Sequence, residues 1–593
     1  MSYVRPAAAA IALLALVGGA AAAALARGPG DPAPPAAAAA LARILDDQWR
    51  HQLDEDLGIR TRLGMPVEKL PDLTLAHAEA EASWSRALIE RLDRIDATAL
   101  AHQDSLTLDL LRDQAEETVE APRAYWHLFF LTPYDAPFGG VHAAFTSFIF
   151  SAPADLDRYL RLLRAYPAMV GQLRQHVEAQ AARGIRLPKA EVDVVVAMLR
   201  AFALPPRESL FEVQDGRLSG IDPAVAAAFR DRARRIVGDE IDPSLQQLAG
   251  ELAGEYRQLA PERIGIGQYP GGVDAYRVLV RRQTGFELSP EEIHRRGEEQ
   301  VERLSQRMAA VRRQLGFAGT AREFHRQLRG DPRFVARTPQ EVGERLMAAV
   351  RKIEPKIPTW FLRQPRAPYG VERLPAALGG MTFGYYQTPT PTQPRGLYLF
   401  NGSDLEQRPL VGAAALIYHE LVPGHHFQLA LQAENPDLPP FRRYLFHTAF
   451  VEGWGEYSSH LGEEMGVYDD PYSLYGRLAM DIFLSNRLVV DTGVNALGWS
   501  RQQATDFMRE RLLESDAQID SEVLRYAIAL PAQALAYKLG AAHIEDLRHR
   551  AETALGSRFD IRRFHDAVLG SGSLPPKILA RHIAWWIEQE KRR

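Results

Sequence analysis

The chain has 593 residues, with 70 Lys and Arg against 75 Asp and Glu, 46% apolar residues and no cysteine. This composition excludes wholesale disorder, and a net charge of −5 excludes the electrostatic footprint of a general nucleic-acid binder. The lack of cysteine excludes disulfides, thiolate metal sites, iron–sulfur clusters and a cysteine nucleophile, so any metal site must be built from His, Asp and Glu.

Residues 1–26 carry one charge, Arg5, ahead of the uncharged run AAAAIALLALVGGAAAAALA, which ends in the small-x-small sequence Ala24-Leu25-Ala26. This is the layout of a secretory signal peptide. The alternative is an uncleaved membrane anchor, because the run has about the 20 residues needed to span a bilayer. Export to a periplasmic or extracellular location is expected, with no stable membrane span once the signal is removed. Residues 27–40, which include GPGDPAPP, read as a flexible leader.

Beyond the leader, apolar residues recur at helical spacing in most windows, which predicts a mainly α, multi-helix body. Helices are expected over 155–184, 222–256 and 289–315. Ser289-Pro290-Glu291-Glu292 and Thr338-Pro339-Gln340-Glu341 share one helix-start grammar, a hydroxyl N-cap with Pro next and Glu at the third position. Residues 41–280 form an amino-terminal helical part in this reading, and 281–593 a part that carries the chemistry. Within the latter, 356–401 is rich in Pro, Gly and aromatics, and MTFGYYQ and GLYLFN have strand composition. A small β element is therefore expected just before the helix that follows. Trp585 and Trp586 are expected to pack a final helix against the core.

The most informative segment is HELVPGHHFQ, residues 419–428, inside a helix-like run over 405–433. In zinc-hydrolase helices two His four residues apart bind the ion, and the Glu after the first acts on water. Here the fourth position after His419 is Pro423. On an unbroken helix His425 would lie about 240° around the axis and about 9 Å along it from His419, too far to share an ion. Pro423 cannot donate to the carbonyl of His419, and Gly424 tolerates unusual dihedrals. A bulge absorbing two residues would return His425 to the effective fourth position. Zinc also needs a third protein ligand while one position stays open. Downstream, FVEGWGEYSSHLGEE places Glu452 and Glu456 on one helix face. Glu452 is the expected third ligand, with Glu456 as its hydrogen-bonding neighbour or an alternative ligand.

HELVPGHHFQ, VEGWGEY, RLVVDTGVNALGWS and RYAIALPAQALAYKLG resemble, in order, the motifs of the bacterial domain-of-unknown-function family 885, over about residues 40–590. The resemblance implies a gluzincin-like metallopeptidase: two His on one helix, a Glu on the next and a Glu general base. The pair Gly424-His425 is similar to the Gly-His at the second ligand of thimet-oligopeptidase-like and dipeptidyl-peptidase-III-like enzymes, which favours His425 over His426. The family pattern has His where this chain has Asn495, and Gly where it has Ala532. The first departure puts a substrate contact or a ligand-orienting partner in doubt; the second affects a local turn.

The expected reaction is hydrolysis of peptide bonds in peptides or oligopeptides with one Zn2+ held by His419, His425 and Glu452. Glu420 is the expected base, and Tyr537 or Arg525 the expected stabiliser of the oxyanion. Tyr385, Tyr386, Tyr526 and Lys538 are candidates to contact substrate. Arg487 and Asp491, one helical turn apart, read equally as a structural ion pair. Two alternatives remain: hydrolysis of a non-peptide amide, or an exported scaffold whose metal is structural, closed by His419, His425, His426 and Glu452.

Overall fold

The computed structural model describes residues 36–593 except 135–136, 375–383 and 392. The expected signal peptide, the leader as far as residue 35, and Met381 to Phe383 of the first strand-like motif lie outside the described residues. Over 36–40 the expected leader is instead helix: α1 spans Ala36–Glu55, because its alanines run without a breaker into the apolar positions Leu41, Ile44, Trp49 and Leu53, all buried. Next come α2 (Leu75–Leu92), α3 (His102–Glu120), α4 (Pro153–Ala182) and α5 (Pro290–Gln314). Ser289 accepts from the Glu292 amide at 3.2 Å at the start of α5. Thr338 does the same for Glu341 at the start of α6 (Pro339–Ile353). Both starts are those expected from the hydroxyl-Pro-x-Glu grammar.

A three-stranded sheet follows: β1 (Tyr369–Arg373), β2 (Gly384–Gln387) and β3 (Gly396–Phe400), in the order β1-β3-β2. β1 runs parallel to β3 and β2 antiparallel to it, with Tyr386 opposite Tyr398. The sequence signalled β2 and β3. β1 was missed because YGVER lacks the alternation of apolar and polar residues that marks a strand. Its partner β3 supplies the burial instead.

The chain then enters α7 (Ala413–Glu420), α8 (His425–Glu434), α9 (Thr448–Glu464), α10 (Pro471–Asn495), α11 (Ala536–Leu555) and α12 (Pro576–Arg592). The expected single helix over 405–433 is thus two helices preceded by short 3-10 turns. α9 and α11 lie in backbone contact: a Cβ on Gly453 would come within 2.5 Å of Gly540. Only glycine at the crossing permits that approach, and it carries Tyr537, on α11, toward the helix of Glu452.

The interior falls into two apolar cores. One, with Phe138, Leu163, Leu245, Ile293 and Leu488, fills the body around α4, α5 and α10. The other joins Leu41, Trp49 and Leu111 of the first helices to Leu346, Ile417, Trp454 and Ile583. The division expected at residue 280 does not follow these cores, since α1 to α3 pack with the carboxy-terminal helices that hold the site. In α12, Trp586 is buried as expected, whereas Trp585 is 40% exposed and lies flat on His102, ring centroids 3.7 Å apart.

Candidate metal centre

α7 ends at Glu420 and α8 begins at His425, so the backbone between them is a complete break and not the two-residue bulge expected from spacing. The Val422–Pro423 peptide is cis. Gly424 passes so close to the end of α7 that a Cβ there would lie 1.8 Å from the carbonyl oxygen of His419. The turn is pinned from α9, where Trp454, fully buried, donates its indole N–H to the Pro423 carbonyl at 2.9 Å. The next residue, Gly455, clears room for the first imidazole, since a Cβ there would meet the His419 ring at 2.8 Å. The sequence GWG thus has a mechanical meaning that residue-by-residue reading did not extract. Its signal was visible: two glycines bracketing a tryptophan within a helix, where each glycine costs about 1 kcal/mol relative to alanine.

These contacts bring His419 and His425 together with ring centroids 4.5 Å apart and planes at 81°. Their Nε2 atoms lie 3.5 and 3.3 Å from the same oxygen, Oε2 of Glu452. One ligand atom from each of the three residues falls within 4.8 Å of the others. Glu452 Oε2 and both Nδ1 atoms are buried with no hydrogen-bond partner. Unsatisfied buried polar atoms are costly, and two imidazoles and a carboxylate converging without sulfur are a donor set that fits a zinc-type cation. Burial opposes the charge on Glu452, yet the two imidazoles outweigh it and hold the carboxyl well below its ordinary range. For His425 burial opposes protonation, but Glu452 and Glu420 beside it raise the imidazole above its usual value. Glu420 is pushed up by burial, against the pull of the two His.

The neighbour His426 is engaged elsewhere. Its Nδ1 pairs with the Tyr386 hydroxyl at 3.0 Å and its Nε2 with the Ala367 carbonyl at 3.0 Å. Burial holds it neutral, its pKa lowered to about 4. It fastens α8 to the sheet and is not available as a ligand, so the closed four-ligand set that included it is not assembled. Tyr386 therefore touches His426, its ring centroid 6.5 Å from that of His425. Tyr385, opposite Leu399 on the other sheet face, is 45% exposed.

Glu456 is also not a ligand. It is fully buried one turn beyond Glu452, where Oε1 accepts from Arg477 at 2.7 Å and from Lys538 at 3.3 Å. Lys538 in turn pairs with Asp481. Lys538, expected to contact substrate, is buried in this network and pairs with Glu456 and Asp481. Tyr526 is likewise enclosed, donating to Glu522 and accepting from Arg487 Nε at 2.9 Å. Arg487 pairs with Glu522 at 3.1 Å and not with Asp491 as its spacing suggested, because the guanidinium extends toward α-helical residue Glu522 of the following segment. Asp491 instead accepts from Tyr276, Asn495 and the Ala532 amide.

Tyr537 is at the centre, its ring stacked 5.9 Å from His419 and with the Arg487 guanidinium 4.7 Å from its centroid. Burial, reinforced by Glu452, raises its pKa, so it is a hydroxyl donor at neutral pH. Arg525 reaches the centre only through another residue: it donates to Gln533 at 2.9 Å, and Gln533 donates to Glu452 Oε1 at 3.4 Å. It is a positioning residue, and Gln533 is a contact the sequence reading missed. Of the two departures, Asn495 is saturated by the Ile266 amide, Asp491 and the Tyr526 carbonyl. Ala532 occupies the left-handed region, φ +70°, where glycine would be unstrained.

Nothing among curated proteins matches the chain. Two solved structures match over 93% of it. The "putative lipoprotein from Colwellia psychrerythraea" has a TM-score of 0.86 at 24% identity and is covered over 99% of its length. The "putative lipoprotein of unknown function from Shewanella oneidensis" has a TM-score of 0.70 at 17% identity and is covered over 100%. At these identities they share the fold. The family model described as bacterial protein of unknown function (DUF885) matches residues 58–583, which include every element of the centre, and the chain belongs to that family.

Proposed function

We propose that the protein is an exported, gluzincin-like zinc hydrolase that cleaves peptide bonds in peptides or oligopeptides. The observation that carries this reading is the convergence of His419, His425 and Glu452 across a helix break, with Glu420 next to the first ligand. Zinc bound by those three residues would supply Lewis acidity, polarising the scissile carbonyl and lowering the pKa of water toward about 7. Glu420 takes the proton from the attacking water and delivers it to the leaving amine, the double duty of a carboxylate whose proton affinity is raised by burial. The Tyr537 hydroxyl donates to the developing oxyanion. Arg525 and Gln533 hold Glu452 in place. β2 is an edge of the sheet among the described residues, and an extended peptide would add to it by backbone hydrogen bonds.

Export is supported by the signal-like sequence of residues 1–26 and by the two structural neighbours, each named a "putative lipoprotein". This chain has no cysteine to carry a lipid, and no helix among the described residues is long and apolar enough to cross a membrane.

The test is metal analysis of the purified protein together with mass-spectrometric readout of a mixed peptide pool. About one zinc at this centre and defined cleavage products are expected. The reading fails if His425→Ala keeps both the zinc of this centre and the cleavage pattern.

A further inference from the structure

Among the described residues, one other group of His and Glu side chains converges as the central one does: Glu55, His77 and Glu81, far from it in sequence and carried by α1 and α2. We infer that these three residues form a second divalent-cation site of zinc type, with His51 orienting one of the carboxylates.

The spacing comes first. His51 and Glu55 are four apart on α1, and His77 and Glu81 are four apart on α2, so each helix offers one imidazole and one carboxylate on one face. The helices pack so that the pairs cross. His77 Nε2 lies 3.7 Å from Glu55 Oε2, and His51 Nε2 lies 2.9 Å from Glu81 Oε2. One donor atom from each of Glu55, His77 and Glu81 lies within 4.8 Å of the other two.

Neighbouring groups hold these side chains in orientation. Lys69 takes Glu55 Oε1 at 2.7 Å, while Oε2 is the oxygen nearer His77. Trp84 stacks flat on His51, centroids 4.2 Å apart and planes at 14°, and fixes the ring against Glu81. The His51 contact fixes Glu81 in advance, which raises metal affinity, while the Lys69 ammonium leaves Glu55 Oε2 as the oxygen free for an ion. The side chains are about a fifth to a third exposed, so an ion enters directly from solvent, unlike the enclosed centre at His419. Two isolated surface His–Glu pairs would add little stability. A cation shared between them would tie α1 to α2, and α1 is the helix whose Trp49 stacks on Tyr444, just before α9. Glu55 lies outside the residues matched by the family model, 58–583, so the site is a feature of this chain and not of the matched region alone.

The experiment is zinc stoichiometry by equilibrium dialysis on the full chain, with variants that distinguish failure of this site from failure of the central one. Wild type is expected to bind about two equivalents, His425→Ala about one, and His425→Ala combined with His77→Ala and Glu81→Gln none. His77→Ala/Glu81→Gln with the centre intact should bind about one equivalent and cleave peptides at the wild-type rate. In parallel, zinc should raise the Tm of His425→Ala and leave the triple variant unmoved, which separates loss of a site from loss of fold. The inference is overturned if His77→Ala/Glu81→Gln binds as much zinc as wild type, or if folded His425→Ala binds none. Loss of one equivalent in His77→Ala/Glu81→Gln, with none lost in His425→Ala, would uphold this site and overturn the central one.

Discussion

Glu452 and Glu456 sit one turn apart on the same face of α9, carry the same side chain and are both shielded from solvent, yet they do different work. Glu456 is met by permanent cations, Arg477 and Lys538, in a network closed by Asp481. Glu452 is met by two imidazoles that carry charge only when protonated, although each glutamate leaves its Oε2 without a hydrogen bond. A buried carboxylate given guanidinium and ammonium partners is finished as structure. One given imidazoles is paired with groups that can themselves bind a cation. The partner, and not the carboxylate, separates a fold-stabilising group from a candidate ligand.

The largest expected effect tests the chemical side of that contrast. Glu420→Gln should lower kcat by about 10²–10⁴-fold with the zinc of the centre retained, read by peptide hydrolysis alongside metal analysis. Full activity in the metal-loaded variant would remove Glu420 from the reaction. On the structural side, Glu456→Ala leaves Arg477 and Lys538 facing a void and should cost about 3–5 kcal/mol in denaturant unfolding. If it instead removed the zinc of the centre and left stability untouched, the division between the two glutamates would be reversed.

A smaller effect concerns how His419 is placed. Gly455→Ala inserts a Cβ at 2.8 Å from the imidazole and should cost about 1–3 kcal/mol, with weaker zinc binding as the accompanying change. Trp454→Phe removes the hydrogen bond to Pro423, worth about 1 kcal/mol, and leaves a cavity beside it; it should weaken zinc binding less than Gly455→Ala does.

A third class of carboxylate sharpens the comparison, one whose neighbouring cations, Arg282 and Arg281 for Glu117, are outweighed by burial. Glu117, on α3, is raised to about 8 by burial and then by Asp113, itself raised to about 6. The folded state therefore holds a proton that the unfolded chain releases near its ordinary pKa of about 4.5. This part of the stability is fully present below that pH and is lost as pH rises toward about 8. Glu117→Gln should flatten that decline, measured as the slope of Tm against pH.

Much of the helical body was legible because its periodicity and start signals are local. Ser289 and Thr338 cap the helices their sequences announce. The meeting of His419, His425 and Glu452 was legible in kind, since a Pro-Gly interruption between two His is too costly to be idle in a helix. What was not legible were the choices among equivalent partners. Arg487 stands one turn from Asp491 but bonds Glu522, thirty-five positions away. Lys538 and Tyr526 have the chemistry of substrate contacts and are consumed by buried networks. Gln533 lies inside the motif RYAIALPAQALAYKLG, where nothing local singles it out, and still contacts Glu452.

By itself, then, the sequence determined the helices, the disruption at Pro423, and the imidazole and carboxylate chemistry without sulfur, because these depend on residues within a turn or two of one another. The tertiary structure decided which nitrogen faces which oxygen. It gave His426 to the sheet and His425 to Glu452, and it let α9 and α11 touch at Gly453 and Gly540 so that Tyr537 stacks on His419. Those outcomes depend on distances between segments far apart in the chain, which only the packing of the whole body sets.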